Sequence, residues 1–201
     1  MKRCNVCNQI VETLSSYYHM DLSGDVKDIE DLVSKAQYKC YKKGELLLTA
    51  GDSYENIGYV LSGVVRSYYV DKTGNDITKY FHVENQLFMD EGLFDYNVSI
   101  CTYEALEDCE ILILKTQVFK EAVWKSDCLK DMYLFALQEG MKYKIYRENS
   151  FLTQSAAERY RQFCSMRPEL EGRVKQAHIA TYLGIAPESL SRIKRGMKEE
   201  S

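Results

Sequence analysis

Residues 176–198 read QAHIATYLGIAPESLSRIKRGMK. Their pattern predicts a helix over residues 176–183 and a second over residues 187–195, joined by a turn. Gly184 supplies the positive φ that ends the first helix. Pro187 suits the first turn of the second, where its missing N–H would have no partner in any case. Apolar side chains at helical spacing would form the core of this unit: Ile179, Leu183, Ile185, Leu190 and Ile193.

The second predicted helix has a polar and basic outward face. Its side chains are Glu188, Ser189, Ser191, Arg192, Lys194 and Arg195. A helical hairpin with a solvated charged face is the alternative interpretation, because apolar residues at helical spacing are common. Small Ala180 at the expected helix crossing, together with Gly184 and the basic face, favours a helix-turn-helix that enters the major groove of DNA.

The charge of the chain is divided unevenly. The 201 residues carry a formal net charge of −4, yet residues 151–201 hold nine Lys/Arg and six Asp/Glu, which leaves 17 and 24 in the first 150. A hydrophobic content of 45% is enough for a core, so disorder is not expected. An acidic body with a small basic tail is typical of a regulator whose larger part does something other than touch DNA.

The cysteines predict a reducing environment. The seven are scattered and odd in number, at positions 4, 7, 40, 101, 109, 128 and 164. No apolar leader follows Met1, and no apolar run is long enough to span a bilayer. We therefore expect a cytoplasmic chain with free thiols and no membrane partner.

An amphipathic stretch near Ile29, Leu32 and Val33 predicts a short helix, and from Tyr38 onward the pattern changes to short β-rich runs. They are Leu46–Thr49, Ile57–Leu61, Val64–Val70, Ile77–Val83, Val98–Leu106 and Glu110–Leu114. Most are separated by glycines or turn residues, and no proline interrupts them. This spacing predicts an antiparallel barrel or roll, in which Cys40 would be a buried strand residue.

After Leu114 the pattern becomes helical. A long helix is predicted from about Asp127 to Asn149, and another from Thr153 to Cys164. Thr116 or Ser126 could cap helices in this region. The long helix carries a seam near the 3.5-residue period: Leu129, Tyr133, Ala136, Gly140, Tyr143 and Tyr146. The seam could pack on its own barrel or on a second copy, and the two-fold symmetry of DNA sites favours the second copy.

The order of these elements resembles the catabolite-activator/FNR (Crp/Fnr) family of bacterial transcription regulators. The stretches that carry the resemblance are KGEL (43–46), GD (51–52), YVLSGVV (59–65), EALEDCE (104–110), YLGI (182–185) and PESLSR (187–192). The resemblance covers about residues 38–198. It implies an α+β fold, in which an antiparallel double-stranded β-helix or jelly roll precedes a long dimerisation helix and a small helix-turn-helix domain. The sensory part with its dimer helix would be residues 1–150 and the DNA-binding part residues 151–201.

The resemblance also implies partners and DNA contacts. In the family a Glu and an Arg four residues apart read base edges, and Glu188 and Arg192 stand at the matching positions. Arginine can bond guanine bidentately and glutamate can accept from cytosine N4, although a surface ion pair would also fit this spacing. Phosphate contacts would come from Gln176, Ser189, Ser191, Lys194 and Arg195. The implied partners are double-stranded DNA, a second copy of the chain and RNA polymerase.

The roll departs from the family's cyclic-nucleotide pocket, in which an Arg neutralises the cyclic phosphate. The matching stretch, residues 89–102, contains no arginine and carries Asp90, Glu91 and Asp95. A buried phosphodiester without a cation is expensive. We therefore expect no usual binding of cAMP or cGMP, and either no effector or an unknown one near Glu91, Ser99 and Thr102.

Alternatives remain for the sensor and for the class of protein. Cys4 and Cys7 are similar to an iron–sulfur motif that Cys101 or Cys109 could complete, or with His19 to a zinc site, but each set falls short of four N-terminal or nearby ligands. Unliganded thiols and no cofactor are favoured. An enzyme is disfavoured because His19, His82 and His178 are isolated and no P-loop, GxSxG or dinucleotide fingerprint occurs. The remaining alternative to a DNA-binding regulator is a sensor or interaction module that has lost DNA binding.

Overall fold

The computed structural model describes residues 2–18, 26–89 and 98–199. Two helices come first, α1 (Lys2–Tyr18) and α2 (Val26–Lys35). The strands are β1 (Gln37–Tyr41), β2 (Leu46–Leu48), β3 (Asn56–Ser62), β4 (Val65–Val70), β5 (Asp76–His82), β6 (Leu87–Phe88), β7 (Thr102–Ala105) and β8 (Cys109–Lys115). The later helices are α3 (Thr116–Lys125), α4 (Asp127–Thr153), α5 (Ala156–Met166), α6 (Gln176–Tyr182) and α7 (Pro187–Glu199).

The strands form a roll of two antiparallel sheets with orders β1-β8-β3-β6 and β2-β7-β4-β5. Strand β8 is almost continuously apolar because both of its faces are covered. Side chains alternate across a strand, and Ile111 and Ile113 belong to the core inside the roll, whereas Leu112 and Leu114 belong to a second core beneath helices. Both faces of this sheet are therefore covered.

The turn glycines that separate the strands were predicted correctly, and Gly63 shows why one is needed. Its φ is +98°, and an added Cβ would lie 2.5 Å from Cys109 Sγ and 2.8 Å from the backbone oxygen of Asp108. A side chain at this position would meet both an unfavourable backbone conformation and a neighbouring strand.

The N-terminal helices cover the outer face of the β1-β8-β3-β6 sheet. Ile10 of α1 and Ile29 and Val33 of α2 pack in one cluster with Leu112 of β8 and Leu129 of α4. The sequence predicted a short helix near Ile29, which α2 confirms, but not the 17 residues of α1. Apolar Cys7, Ile10, Val11 and Leu14 recur at helical spacing in α1, a signal that could have predicted this helix.

Cys40 is exposed rather than buried, which corrects the prediction from sequence. It lies on β1, the edge strand of its sheet, which pairs only with β8 among the described strands. An edge strand of five residues, four of them exposed, leaves Cys40 in contact with solvent.

Serines begin two of the later helices. Ser126, one of the predicted caps, accepts a hydrogen bond from Leu129 N at 3.3 Å and starts α4. Ser155 and Glu158 form a reciprocal capping box that starts α5. Because α4 continues to Thr153, the next helix starts at Ala156, three residues later than predicted. Within the described residues, no helix combines the length and the apolar character that a membrane span requires.

Candidate nucleic-acid interface

Helices α6 and α7 and the turn between them match the predicted positions. Gly184 has φ +69°, and an added Cβ would lie 2.8 Å from Phe151 Cε1 at the end of α4. The turn is closed by a hydrogen bond from Ile185 N to Ala180 O at 3.0 Å. Ala180 and Leu190 are both fully buried where the helices meet. Of the predicted apolar positions, Ile179, Leu183 and Leu190 are buried, and Ile185 and Ile193 are half-buried.

The outward face of α7 is open to solvent. Glu188, Ser191, Arg192 and Arg195 are exposed, as is Gln176 at the start of α6, whereas Ser189 and Lys194 are half-buried. Among these described side chains, Arg192 Nε donates to the backbone oxygen of Glu188 at 3.5 Å, and no ion pair joins the Glu188 carboxylate to the guanidinium. The structure therefore brings the seven predicted DNA-contacting residues onto one small unit and leaves the Arg192 charge available.

A chain of hydrogen bonds anchors α6 to the roll. Arg66, which is fully buried, donates from Nε to Thr78 Oγ1 at 2.9 Å. The Thr78 hydroxyl lies 2.9 Å from Thr181 Oγ1, and Thr181 donates to His178 O at 3.2 Å. Arg66 also donates to Asp76 at 2.8 Å and so holds the pKa of Asp76 below its ordinary value. This order of donors and acceptors fixes α6 against β5.

Apolar packing reinforces this anchor. Phe81 of β5 is fully buried and lies 5.6 Å from the ring of Tyr182 and 6.3 Å from that of Phe163, centroid to centroid. Leu170 and Leu190 are buried in the same cluster. The roll and the C-terminal helices thus share one core, which the sequence did not predict because β5 and α6 are about 100 residues apart.

An arginine joins the two parts at the rim of this core. Arg173 Nη2 donates to Glu84 Oε1 at 2.6 Å and to Glu107 Oε1 at 2.5 Å. These hydrogen bonds raise the pKa of Arg173 above its ordinary value. Burial opposes ionisation of Glu84, but its hydrogen bonds from Arg173 and from the Gly63 N–H outweigh that effect and lower its pKa. Arg173 and Glu84 therefore stay charged at neutral pH.

Helix α4 touches both the roll and α6. Tyr143 OH lies 2.6 Å from Tyr182 OH, and Arg147 Nη2 donates to Tyr182 O at 2.9 Å. At the other end of α4, Leu129 is buried in the core beneath α1 and α2. Residues of the predicted seam therefore contact their own chain, and a different side of α4 is left exposed.

The two described residues of the predicted effector pocket are already bonded within the roll. Ser99 Oγ donates to Cys101 O at 2.6 Å and lies 3.0 Å from Tyr54 OH. Thr102 Oγ1 accepts from Ala50 N at 3.1 Å. Glu91 lies outside the described residues, as do Asp90 and Asp95. The hydroxyls of Ser99 and Thr102 are therefore already engaged in hydrogen bonds with other residues of the roll.

Aromatic side chains fill the adjoining interior. The rings of His82, Phe88 and Tyr103 lie 5.6–5.9 Å from one another. Burial lowers the pKa of His82 to about 3, so its imidazole is neutral at physiological pH. The Arg66 guanidinium cannot neutralise a phosphate in this interior, because it lies on the other face of β4, where it is bonded to Thr78 and Asp76.

The predicted thiol motif is described only in part. Cys7 is buried in α1, whereas the Cys4 side chain and His19 lie outside the described residues. Cys101 and Cys109 are buried in the roll, where burial raises the pKa of Cys109 to about 11. Among the described residues, no group of three or more His, Cys, Asp or Glu is placed to hold a metal ion. The metal alternatives for Cys4 and Cys7 stay a prediction that the described residues do not test.

Comparisons with known proteins support the fold. Residues 38–125 match the family model of the cyclic nucleotide-binding domain. FixK2 from Bradyrhizobium japonicum aligns with a TM-score of 0.72 and 21% identity over 82% of this chain and 85% of that chain. The c-di-GMP responsive global regulator CLP from Xanthomonas campestris aligns with a TM-score of 0.69 and 16% identity over 87% and 92%.

The catabolite activator protein of Thermus thermophilus aligns with a TM-score of 0.55 and 21% identity over 87% of this chain and 84% of that chain. No curated protein matches the sequence. Residues 38–125 therefore form a domain of the cyclic nucleotide-binding type, and over 82–87% of its length the chain shares the fold of these proteins.

The domain type does not by itself supply a nucleotide site, and we expect neither cAMP nor cGMP to bind. Residues 67–146 contain no arginine, and a buried cyclic phosphate without a cation is strongly disfavoured. Titration calorimetry of the full chain with each nucleotide is expected to show no heat of binding at micromolar concentrations. Saturable micromolar binding would contradict this prediction.

Proposed function

We propose that this chain is a transcription regulator of the Crp/Fnr type that binds double-stranded DNA as a homodimer. The observation that carries the proposal is the exposed polar and basic face of α7, which projects from a core formed by α5, α6 and the roll. On this proposal residues 151–201 are the DNA-binding part. RNA polymerase as a partner stays a prediction.

The side chains of α7 suit base reading in a major groove. Glu188 and Arg192 are one helical turn apart on the same face. Arg192 can donate two hydrogen bonds to guanine, and Glu188 can accept one from cytosine N4. Ser191 Oγ donates to Pro187 O at 3.1 Å, which leaves its lone pairs free to accept but orients the hydroxyl along the helix. The remaining predicted contacts, from Gln176, Ser189, Lys194 and Arg195, would position the helix on phosphates.

The dimer part of the proposal rests on an exposed apolar stripe of α4. We define the α4 stripe as Leu134, Met141, Ile145 and Leu152, which are 55%, 58%, 61% and 78% exposed. Together with Gln138 and Glu148 these positions alternate in steps of four and three, the spacing of a two-helix seam. A monomer rarely exposes such a patch. The stripe replaces the seam predicted from sequence as the surface that a second copy would cover.

A charge within the α4 stripe is expected to break the dimer. Ile145→Glu removes an apolar side chain whose burial is worth about 1.5–3 kcal/mol, and a two-fold interface loses it twice. The dissociation constant of the dimer should rise at least about 100-fold, since 1.4 kcal/mol is tenfold. Light scattering after size exclusion should then report the mass of one 23.3 kDa chain.

Lys144→Glu is the matched control, because Lys144 is exposed on α4 beside the stripe and receives the same new side chain. We expect this variant to remain dimeric. A monomeric wild-type chain at tens of micromolar, or an unchanged mass for Ile145→Glu, would rule out the stripe as the interface.

The salt dependence of DNA binding tests the proposed function. Phosphate contacts release counterions, so a protein that makes 6–10 of them loses about 10³–10⁵ in affinity between 50 and 200 mM salt. Gel shifts of the full chain on fragmented genomic DNA should show this steep loss and a subset of fragments retained at the higher salt. No retention at 50 mM salt would contradict DNA binding and favour an interaction module.

A further inference from the structure

A cavity of about 120 Å³ lies outside the roll, between its β1-β8-β3-β6 sheet and the helices that cover it. The sheet contributes Leu112 and Tyr59, α2 contributes Ile29, and α4 contributes Leu129 and Met132. We call it the helix-covered cavity. Because Leu112 and Ile111 point to opposite faces of β8, this space is separate from the packed interior that contains Ser99 and Thr102.

The chemistry of the walls restricts what can occupy the helix-covered cavity. The lining is apolar or aromatic apart from two tyrosine hydroxyls, those of Tyr59 and Tyr133, and the Tyr59 hydroxyl is engaged with Asn85 Oδ1 at 3.2 Å. Water needs two to four polar partners and finds few here. A charged or strongly polar ligand would lose its hydration without replacement. The cavity therefore favours an uncharged, apolar occupant.

The size of the cavity restricts the occupant further. An engineered cavity of about 150 Å³ lined by leucine, isoleucine and phenylalanine stays dry and binds benzene or xenon. The helix-covered cavity is slightly smaller and similarly lined. Leu87, which is 39% exposed, belongs to both the lining and the protein surface, so a small molecule can enter the cavity from solvent.

We propose that the helix-covered cavity is a binding site for a small, uncharged apolar molecule of about the size of benzene. The site accepts hydrocarbon-like ligands and excludes nucleotides and other anions. It differs in position and in ligand chemistry from the nucleotide pocket after which the domain type is named.

The site is placed to act on the C-terminal helices through α4. Leu129, Met132 and Ala136 line the cavity, and seven residues further along the same helix Tyr143 bonds to Tyr182 of α6 at 2.6 Å. Seven residues of helix span about 10 Å. A ligand that shifts the first half of α4 against the sheet therefore moves the residues that hold α6. This regulatory consequence, unlike the binding site itself, rests on the proposed function.

The test uses the full chain with benzene as the probe. Near saturation, benzene should raise the melting temperature by about 2–4 °C, as a native-state ligand worth about 1 kcal/mol does for a chain of this size. Ala136→Leu places extra side-chain volume in the cavity and should weaken benzene binding at least about tenfold. Ala50→Leu, at an exposed position away from the cavity, is the matched control and should respond as wild type.

If Ala136→Leu does not fold, methyl NMR of the wild-type chain still tests whether benzene binds in the helix-covered cavity. Benzene should shift the methyl resonances of Ile29, Leu129 and Met132 before any others. No change in melting temperature and no shift of these methyls, or shifts confined to other sites, would overturn the proposed site.

Gel shifts with and without benzene separate the two proposals. A change in DNA affinity that Ala136→Leu abolishes supports regulation through α4, and an unchanged affinity overturns that regulation. An absence of DNA binding together with intact benzene binding would contradict the proposed function and would still support the cavity as a ligand site.

Discussion

Replacing both Arg192 and Arg195 with alanine is expected to reduce the affinity of the full chain for its DNA site by at least about 1000-fold. Each arginine that contacts a base or phosphate contributes about 1–3 kcal/mol, and a dimer loses four of them. Since 1.4 kcal/mol is a factor of ten, even the lower bound approaches three orders of magnitude. Both residues are exposed on α7, so the substitutions should not disturb folding.

The control removes the same charge elsewhere. Lys39 and Lys43 are exposed on the roll, and changing both to alanine lowers the net charge equally without touching α7. We expect that variant to bind DNA within a few-fold of wild type. Gel shifts at fixed salt compare the two, and equal affinities for both double variants would show that α7 is not the DNA-reading element.

The two single variants should have different effects on DNA binding. Arg192→Ala is expected to relax specificity at one base pair of each half-site, because a bidentate contact with guanine is lost. Arg195→Ala should weaken binding to all sequences alike and reduce the salt slope by about one per protomer. Binding to a library of randomised sites measures both effects.

Phe81→Ala is expected to lower the free energy of unfolding by about 3–5 kcal/mol, the range for removing a buried aromatic ring. Phe81 is fully buried between the roll and the C-terminal helices, against Phe163 and Tyr182. The loss should therefore also loosen α6, which would appear as faster amide hydrogen exchange in α6 than in β8. Urea unfolding followed by circular dichroism measures the first effect.

Ile77→Ala on the same strand is the matched control. Ile77 is 40% exposed and does not belong to the shared core, so its truncation should cost well under half as much. A cost below about 1 kcal/mol for Phe81→Ala would contradict the tight packing of α6 on β5.

Local sequence patterns predicted the elements whose ends are marked by turn glycines or capping residues. Each of the six predicted β-rich runs overlaps an observed strand, and Gly63 and Gly184 have the positive φ that their turns require. The Ser126 cap was also visible, because capping depends on a side chain and a backbone N–H only three residues away. Such signals need no knowledge of the rest of the fold.

Features that depend on distant contacts were missed or misplaced. Cys40 of β1 was placed correctly in a strand but was expected to be buried, whereas four of the five residues of this edge strand are exposed and the strand pairs with β8. Helix α4 has apolar residues on more than one side, so its sequence alone could not tell that Tyr143 faces α6 and Ile145 faces solvent. The polar and basic face of α7 was predictable from the sequence. The hydrogen bonds that run from Arg66 through Thr78 to Thr181 and hold α6 on the roll were not.

Footprinting of the full chain on a retained genomic fragment tests whether two α7 helices read the DNA. A dimer that reads DNA with two α7 helices should protect two major-groove segments on one face of the duplex, about 34 Å or one helical turn apart. Arg192→Ala with Arg195→Ala should abolish both protections together. A footprint confined to one groove segment, or one unchanged in the double variant, would contradict the account.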